Sequence, residues 1–198
     1  MEEQTMEVQT VEEQTTGCLV CGAPLEYLQS QIEMECTYCH KTFMSNARCV
    51  NGHFICDSCH EQMGLRVIED ICRHTDSKDP VAIMKKIILS PYIYMHGPEH
   101  HVLVGSALLA AYKNAGGELD LDAALEEMRN RGAQVPGGIC GLWGTCGAAV
   151  STGIFVSLIT GASPLSGKEW GLCNEMTSRS LGAIAKTGGP RCCKRDSY

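Results

Sequence analysis

Four pairs of metal-type ligands within the first sixty residues constrain this chain more than any other feature. Cys18 and Cys21 stand in "CLVCGAPL", Cys36 and Cys39 in "CTYC", and Cys49, His53, Cys56 and Cys59 in "CVNGHFICDSC". A closed structural zinc site takes four nitrogen or sulfur ligands. Eight ligands therefore suit two zinc ions, and a segment this short has little core of its own, so metal would supply its folding energy. The spacing allows two pairings. In a sequential one, Cys18, Cys21, Cys36 and Cys39 share one ion, and Cys49, His53, Cys56 and Cys59 the other. In an interleaved one, Cys36 and Cys39 join Cys56 and Cys59, while Cys18 and Cys21 join Cys49 and His53. His40 and His60 are expected to be exposed bystanders.

Redox setting follows from the cysteine count. Thirteen cysteines in 198 residues would suit a disulfide framework in a secreted chain. Here most of those in the first sixty residues form Cys-x-x-Cys pairs, and "MEEQTMEVQTVEEQTT" has neither the basic start nor the apolar segment of a signal peptide. The expectation is a cytoplasmic protein whose thiols serve metals or chemistry. Residues 1–16 read as a disordered acidic tail, and five of the seven surplus negative charges lie there. The remainder is near neutral and the zinc module offers only Lys41 and Arg48, so no nucleic acid is expected as a partner.

After residue 60 the pattern turns helical. Helices are predicted over "EQMGLRVIEDICRH", over "DPVAIMKKIIL" with Asp79 as N-cap and Pro80 at its first position, from Pro98, over "LDLDAALEEMRNRG", from about Thr145 to Thr160, and from about Ser166 to Lys186. No strand is predicted there. The fold class is mainly α: a small N-terminal zinc-binding module of treble-clef or RING-like type over 17–60, and an all-α domain over 61–198. No charge lies between Arg131 and Lys168. Its apolar part is short for a membrane span and rich in Gly, Ser and Thr, so a buried helix is expected and no membrane.

The helical part holds a second polar set: Cys140, Cys146, Cys173, Cys192 and Cys193, with His96, His100 and His101 in "MHGPEHH". Cys146 lies near a predicted helix start, where backbone donors favour a thiolate. Arg191, Lys194 and Arg195 would lower the pKa of Cys192 and Cys193. Cys140, Cys146, Cys173 and Cys192 or Cys193 are expected to converge, as ligands of an iron–sulfur cluster or as reactive thiols. Cys146, Cys192, Cys193, His100 and His101 are the candidate catalytic groups. At least two of His96, His100 and His101 should face the cavity of Cys146.

Residues 36–59 resemble a RING finger, especially of the seven-in-absentia type, through "CTYC…RCVNGHFICDSC". That family places a final Cys pair downstream, where this chain has Cys72 and His74 within a predicted helix. Cys18 and Cys21 would supply the pair from the other end, as in a permuted cross-brace, which speaks for interleaving but removes the segment a ubiquitin ligase needs. From "CGAPLEYL" through "CTYCHKTFMSNARC", "MHGPEHH" and "GLWGTCGAA" to "GGPRCCKR", the chain resembles an uncharacterised family of Cys-rich proteins from anaerobic bacteria and archaea. Members are sometimes joined to methyltransferase or radical enzymes. The helical half is also similar to redox proteins with a Cys, Gly-Cys-Ala, Cys, Cys pattern, although Thr145 and Gly147 depart from its Gly-Cys-Ala core. The reading is a metal-binding thiol protein serving electron transfer, sulfur transfer or cofactor maturation. The alternative is a non-enzymatic accessory protein whose zinc module docks a partner enzyme. The motifs do not themselves specify an enzyme.

Overall fold

The computed structural model describes residues 17–198, so the reading of residues 1–16 as a disordered tail lies outside the described residues. The chain divides into two compact units, one ending at Cys59 and one running from His60 to Tyr198.

The first unit is built on an antiparallel hairpin of β1 (Leu25–Glu35) and β2 (Thr42–Cys49). Leu25 pairs with Cys49 at its open end and Glu35 with Thr42 at its turn, with the register broken between Tyr27 and Ile32. Sharp turns carry the ligand pairs. Gly22 and Gly52 take positive φ, 73° and 86°. There the N–H of Gly22 donates to the Cys18 carbonyl and that of Gly52 to the Cys49 carbonyl, both at 2.7 Å. A side chain would be strained in that conformation, which is why glycine follows the first pair and precedes His53. The buried apolar residues before His60 are Cys18, Met34, Cys36, Cys49 and Cys56. Four of these five are candidate ligands, so among the described residues the unit has almost no core apart from its metal-type side chains.

The second unit is helical, with no strand among its residues. It comprises the body of α1 (Asp57–His74), then α2 (Pro80–Ile88), α3 (His100–Asn114), α4 (Leu121–Gly132), α5 (Ile139–Leu142), α6 (Gly147–Thr160), α7 (Lys168–Thr187) and α8 (Cys193–Asp196). Caps account for several boundaries. Asp79 accepts from the Val81 N–H with Pro80 at the first position of α2, and Asp120 accepts from the Ala123 N–H at the start of α4. The third helix begins later than predicted: Pro98 precedes it, Glu99 is its N-cap and His100 opens it. Cys146 is likewise the N-cap of α6 rather than a helical residue, and the short α5 before it was not anticipated.

Helix α3 is the centre of this unit, with eleven of its fifteen residues buried. A helix apolar on all sides belongs inside a bundle. It packs on α2, α4 and α6, and α7 lies on α6. The charge-free segment thus becomes an inner helix, α6, and among the described residues no helix is long and apolar enough to cross a membrane. Close approach of α3 and α6 needs small residues. A Cβ at Gly105 would meet Met128 and the Ser151 carbonyl, and the Gly105 N–H donates to Ser151 Oγ at 2.8 Å.

Candidate metal centres and a thiol cavity

The first unit gathers its eight ligands into two sets. The ligand atoms of Cys18, Cys21, Cys49 and His53 lie within 4.8 Å of one another, and so do those of Cys36, Cys39, Cys56 and Cys59. Strand β1 explains why these sets interleave. Cys21 precedes it and Cys36 follows it, and eleven residues of strand hold the two pairs at opposite ends of the hairpin. Cys49 ends β2 at the open end, beside the first pair. The chain then returns to the turn, where the Thr37 N–H donates to the Phe54 carbonyl at 2.8 Å, delivering Cys56 and Cys59 to the second pair.

The distances suit a four-ligand ion. Cys18 Sγ is 3.8 Å from His53 Nδ1, Cys21 Sγ is 3.5 Å from Cys49 Sγ, and Cys39 Sγ is 3.8 Å from Cys56 Sγ. A tetrahedron with metal–sulfur bonds of about 2.3 Å has edges slightly under 4 Å. Backbone amides turn toward the sulfurs: Val20 N–H to Cys18 at 3.4 Å, Asn51 N–H to Cys49 at 3.3 Å, and Cys56 N–H to Cys36 at 3.3 Å. Crowded thiols cannot all ionise unaided. The Ala23 N–H and the Asn51 side chain bring Cys21 down to about 6. For Cys36 burial acts upward, but donors from Cys56, Cys39 and Tyr38 outweigh it and bring it to about 6. Burial and the neighbouring thiols push Cys59 up to about 12. A dication held among the four removes that conflict by stabilising every thiolate. The donor sets therefore fit metal ions at both places.

His40 is exposed, as expected, and faces Glu35 at 2.8 Å. His60 is not. It is only 2% exposed, its ring stacks on Tyr94 at 3.2 Å, and its Nε2 is buried without a hydrogen-bond partner. The expectation of an exposed bystander fails because His60 sits on the inward face of α1, one residue past the last ligand.

In the helical unit, a cavity of about 370 Å³ is lined by Cys140, Cys146 and Cys193 together with His96, His100 and His101. Cys140 comes from α5, Cys146 caps α6, and Cys193 opens α8. Cys173 and Cys192 do not line it. Cys173 lies within α7, its carbonyl close against Gly153 of α6, and Cys192 is the N-cap of α8. Cys146 and Cys193 are not lowered as their surroundings suggested. Burial pushes Cys146 up, against N–H donation from Ala148 and Ala149. Burial likewise pushes Cys193 up, against the Gly97 N–H and the Arg191 charge, and Cys146 and Cys140 add to the rise. Helix-start donors and nearby bases act in the expected direction, but desolvation is larger.

The three histidines differ. His96 is exposed. His100 is held at both nitrogens: Nε2–H donates to the Tyr94 carbonyl at 2.9 Å, and Nδ1 lies 2.9 Å from Ser197 Oγ. Burial pushes its pKa down to about 4, so it is neutral at ordinary pH. It ties the chain end, through Ser197, to the start of α3. His101 donates from Nδ1 to the Val135 carbonyl at 3.1 Å, which fixes the tautomer and leaves Nε2 with the lone pair. Its ring lies against Gly147, where any Cβ would collide with it.

One contributor escaped the sequence reading. Glu99 is 2% exposed and burial raises its pKa; its Oε1 accepts from the Tyr94 N–H at 3.2 Å and lies 4.0 Å from His100 Nε2. Its carboxylate folds back onto Gly97 so tightly that a Cβ there would overlap it. The signal was the glycine in "HGPEHH". Arg191, expected from the sequence to act on Cys192 and Cys193, reaches further. It lines both this cavity and a second one of about 810 Å³ against α7, and Cys140 and Cys146 stand where the two meet.

No curated protein and no solved structure matches the chain. A protein-family profile matches residues 68–198, from α1 to the chain end, and so takes in α3, α5, α6 and α8, which carry the cavity. With most of its length matched, the chain belongs to the family described as "Family of unknown function (DUF5714)".

Proposed function

We propose that this is a metal-binding thiol protein with two zinc ions in its first unit and a reactive Cys/His site in its helical unit. Zinc is the natural occupant of four-ligand sites built from Cys and His alone. There it serves folding, since little else is buried around it. The helical site serves electron transfer, sulfur transfer or cofactor maturation in a reducing cytoplasm, acting with a partner protein or enzyme. One observation carries the reading: three cysteines from three separate segments meet at one cavity beside a histidine nitrogen whose lone pair is free. Packing alone does not need thiols there, because Ala or Val would fill the same space without the sulfur's chemistry.

Alkylation of the zinc-loaded, colourless protein tests this. Cys140, Cys146 and Cys193 should label well before Cys72, which is 1% exposed in the core and pushed up to about 12 by burial. Labelling no faster than Cys72 at all three would reduce them to packing residues and favour the accessory-protein reading.

A further inference from the structure

The thiol cavity has a geometry that selects among soft-metal occupants. A single tetrahedral ion needs its ligands within about 4 Å of one another. The two N-terminal sets meet that condition, whereas no three ligand atoms around this cavity come within 4.8 Å. The volume of about 370 Å³ matches about a dozen waters, far more than one ion fills. A [2Fe–2S] cluster binds two protein ligands per iron and so requires ligands in close pairs. A cubane [4Fe–4S] cluster binds one per iron and keeps them apart.

The walls suit the same occupant. Gly137, Gly138 and Gly147 line the cavity without side chains, which lets a bulky inorganic core approach the backbone. The Ala148 and Ala149 N–H groups act on Cys146, and the Gly97 N–H on Cys193, in the direction that favours thiolates. Hydrogen bonds of this kind to cluster sulfurs tune and stabilise the metal core. A thiolate-bound cluster carries net negative charge, and Arg191 lines the cavity to offset it. His101 offers a fourth donor of fixed tautomer, held by Val135 and braced by Gly147.

We propose that Cys140, Cys146 and Cys193 each hold one iron of a cubane iron–sulfur cluster, with Nε2 of His101 on the fourth. This rests on the metal–thiol reading above and deepens it. On ligation each thiol loses its proton to solvent as its sulfur–iron bond forms; the lone pair of His101 binds without proton loss. Two ferrous ions, two ferric ions and four sulfides come from outside the protein, so no electron is added or removed as the cluster assembles. Cys173 and Cys192 take no part, which separates this ligand set from one chosen by sequence order.

The test uses the full chain, zinc-loaded first so that the N-terminal sites are filled, then treated anaerobically with sulfide and equal amounts of ferrous and ferric iron. The expected result is a brown protein with about four iron and four sulfide per chain. Cys140→Ser, Cys146→Ser and Cys193→Ser should each lose at least most of that iron while keeping the helical circular dichroism. Cys173→Ser and Cys192→Ser should keep it. Should one of the first three fail to fold, the other two still decide. His101→Ala should yield a cluster that sheds one iron on mild oxidation, and His101→Cys should restore four. About two iron per chain, no chromophore, or loss in Cys173→Ser with retention in Cys193→Ser would overturn the proposal. If no cluster forms but the three thiols still alkylate ahead of Cys72, the cluster falls and the broader thiol reading stands.

Discussion

The backbone N–H of Cys56 donates to Sγ of Cys36 at 3.3 Å, bridging twenty residues of chain. This contact puts the second and fourth ligand pairs into one site and leaves the first pair to Cys49 and His53. Paired substitutions test the arrangement. Cys18→Ser with Cys49→Ser should lose one zinc, as each does alone, because both serve one ion. Cys18→Ser with Cys36→Ser should lose both. Sequential pairing reverses these two results, so metal content by mass spectrometry decides between them.

Removing the metals should unfold the first unit. Its buried side chains are mostly ligands, and ligand sets of this kind transfer their binding energy to folding. A strong chelator is expected to erase strand signal and amide protection over residues 25–49 while the helical unit keeps its melting transition. Retained protection of β1 and β2 without metal would contradict that role.

Gly147→Ala should be costly although the side chain added is small. The new methyl would occupy the space of the His101 imidazole, so the ring must shift and its bond to Val135 weaken. Overpacking of this sort costs about 1–3 kcal/mol. Gly141→Ala is the control, since a Cβ there meets nothing within 4 Å and φ is not positive. It should leave stability within about 0.5 kcal/mol or raise it slightly. Urea melts of both variants provide the comparison.

Ser197→Ala should loosen the chain end. The hydroxyl lies 2.9 Å from His100 Nδ1 and 2.7 Å from the Cys193 carbonyl, and the residue is 3% exposed. Leaving a buried imidazole nitrogen unpaired costs about 1–3 kcal/mol. Hydrogen exchange should quicken over residues 192–196, and Cys193 should alkylate faster than in the parent. Unchanged rates at both would remove His100 as the anchor of this segment.

His60→Phe should stabilise the protein. The variant keeps a ring against Tyr94 and removes a buried Nε2 that has no partner. The gain expected is on the order of 1 kcal/mol. His60→Ala should destabilise instead, because the stack goes as well. Thermal melts at pH 7 measure both, and a loss in the Phe variant would show that Nε2 has a partner in solution.

The ligand types, their spacing and the helical character of residues past 60 were all legible in the sequence, because each is a local property. Cys-x-x-Cys pairs report themselves, Asp79–Pro80 marks a helix start, and an uncharged stretch between Arg131 and Lys168 announces burial. What could not be read were relations between distant segments. The interleaving follows from the length of β1 and the return of residue 54 to the hairpin turn. Cys193 rather than Cys173 reaches the thiol cavity because α8 folds back beside Gly97, whereas Cys173 is held on α7 against α6. His100 and His101 are neighbours of the same type, yet one is tied at both nitrogens and the other keeps a free lone pair. That difference arises from Tyr94, Ser197 and Val135, the last two far away in the chain. Pro98, as a helix-start signal, placed both histidines in the first turn of α3, but their hydrogen-bond partners are supplied only when the chain closes on itself.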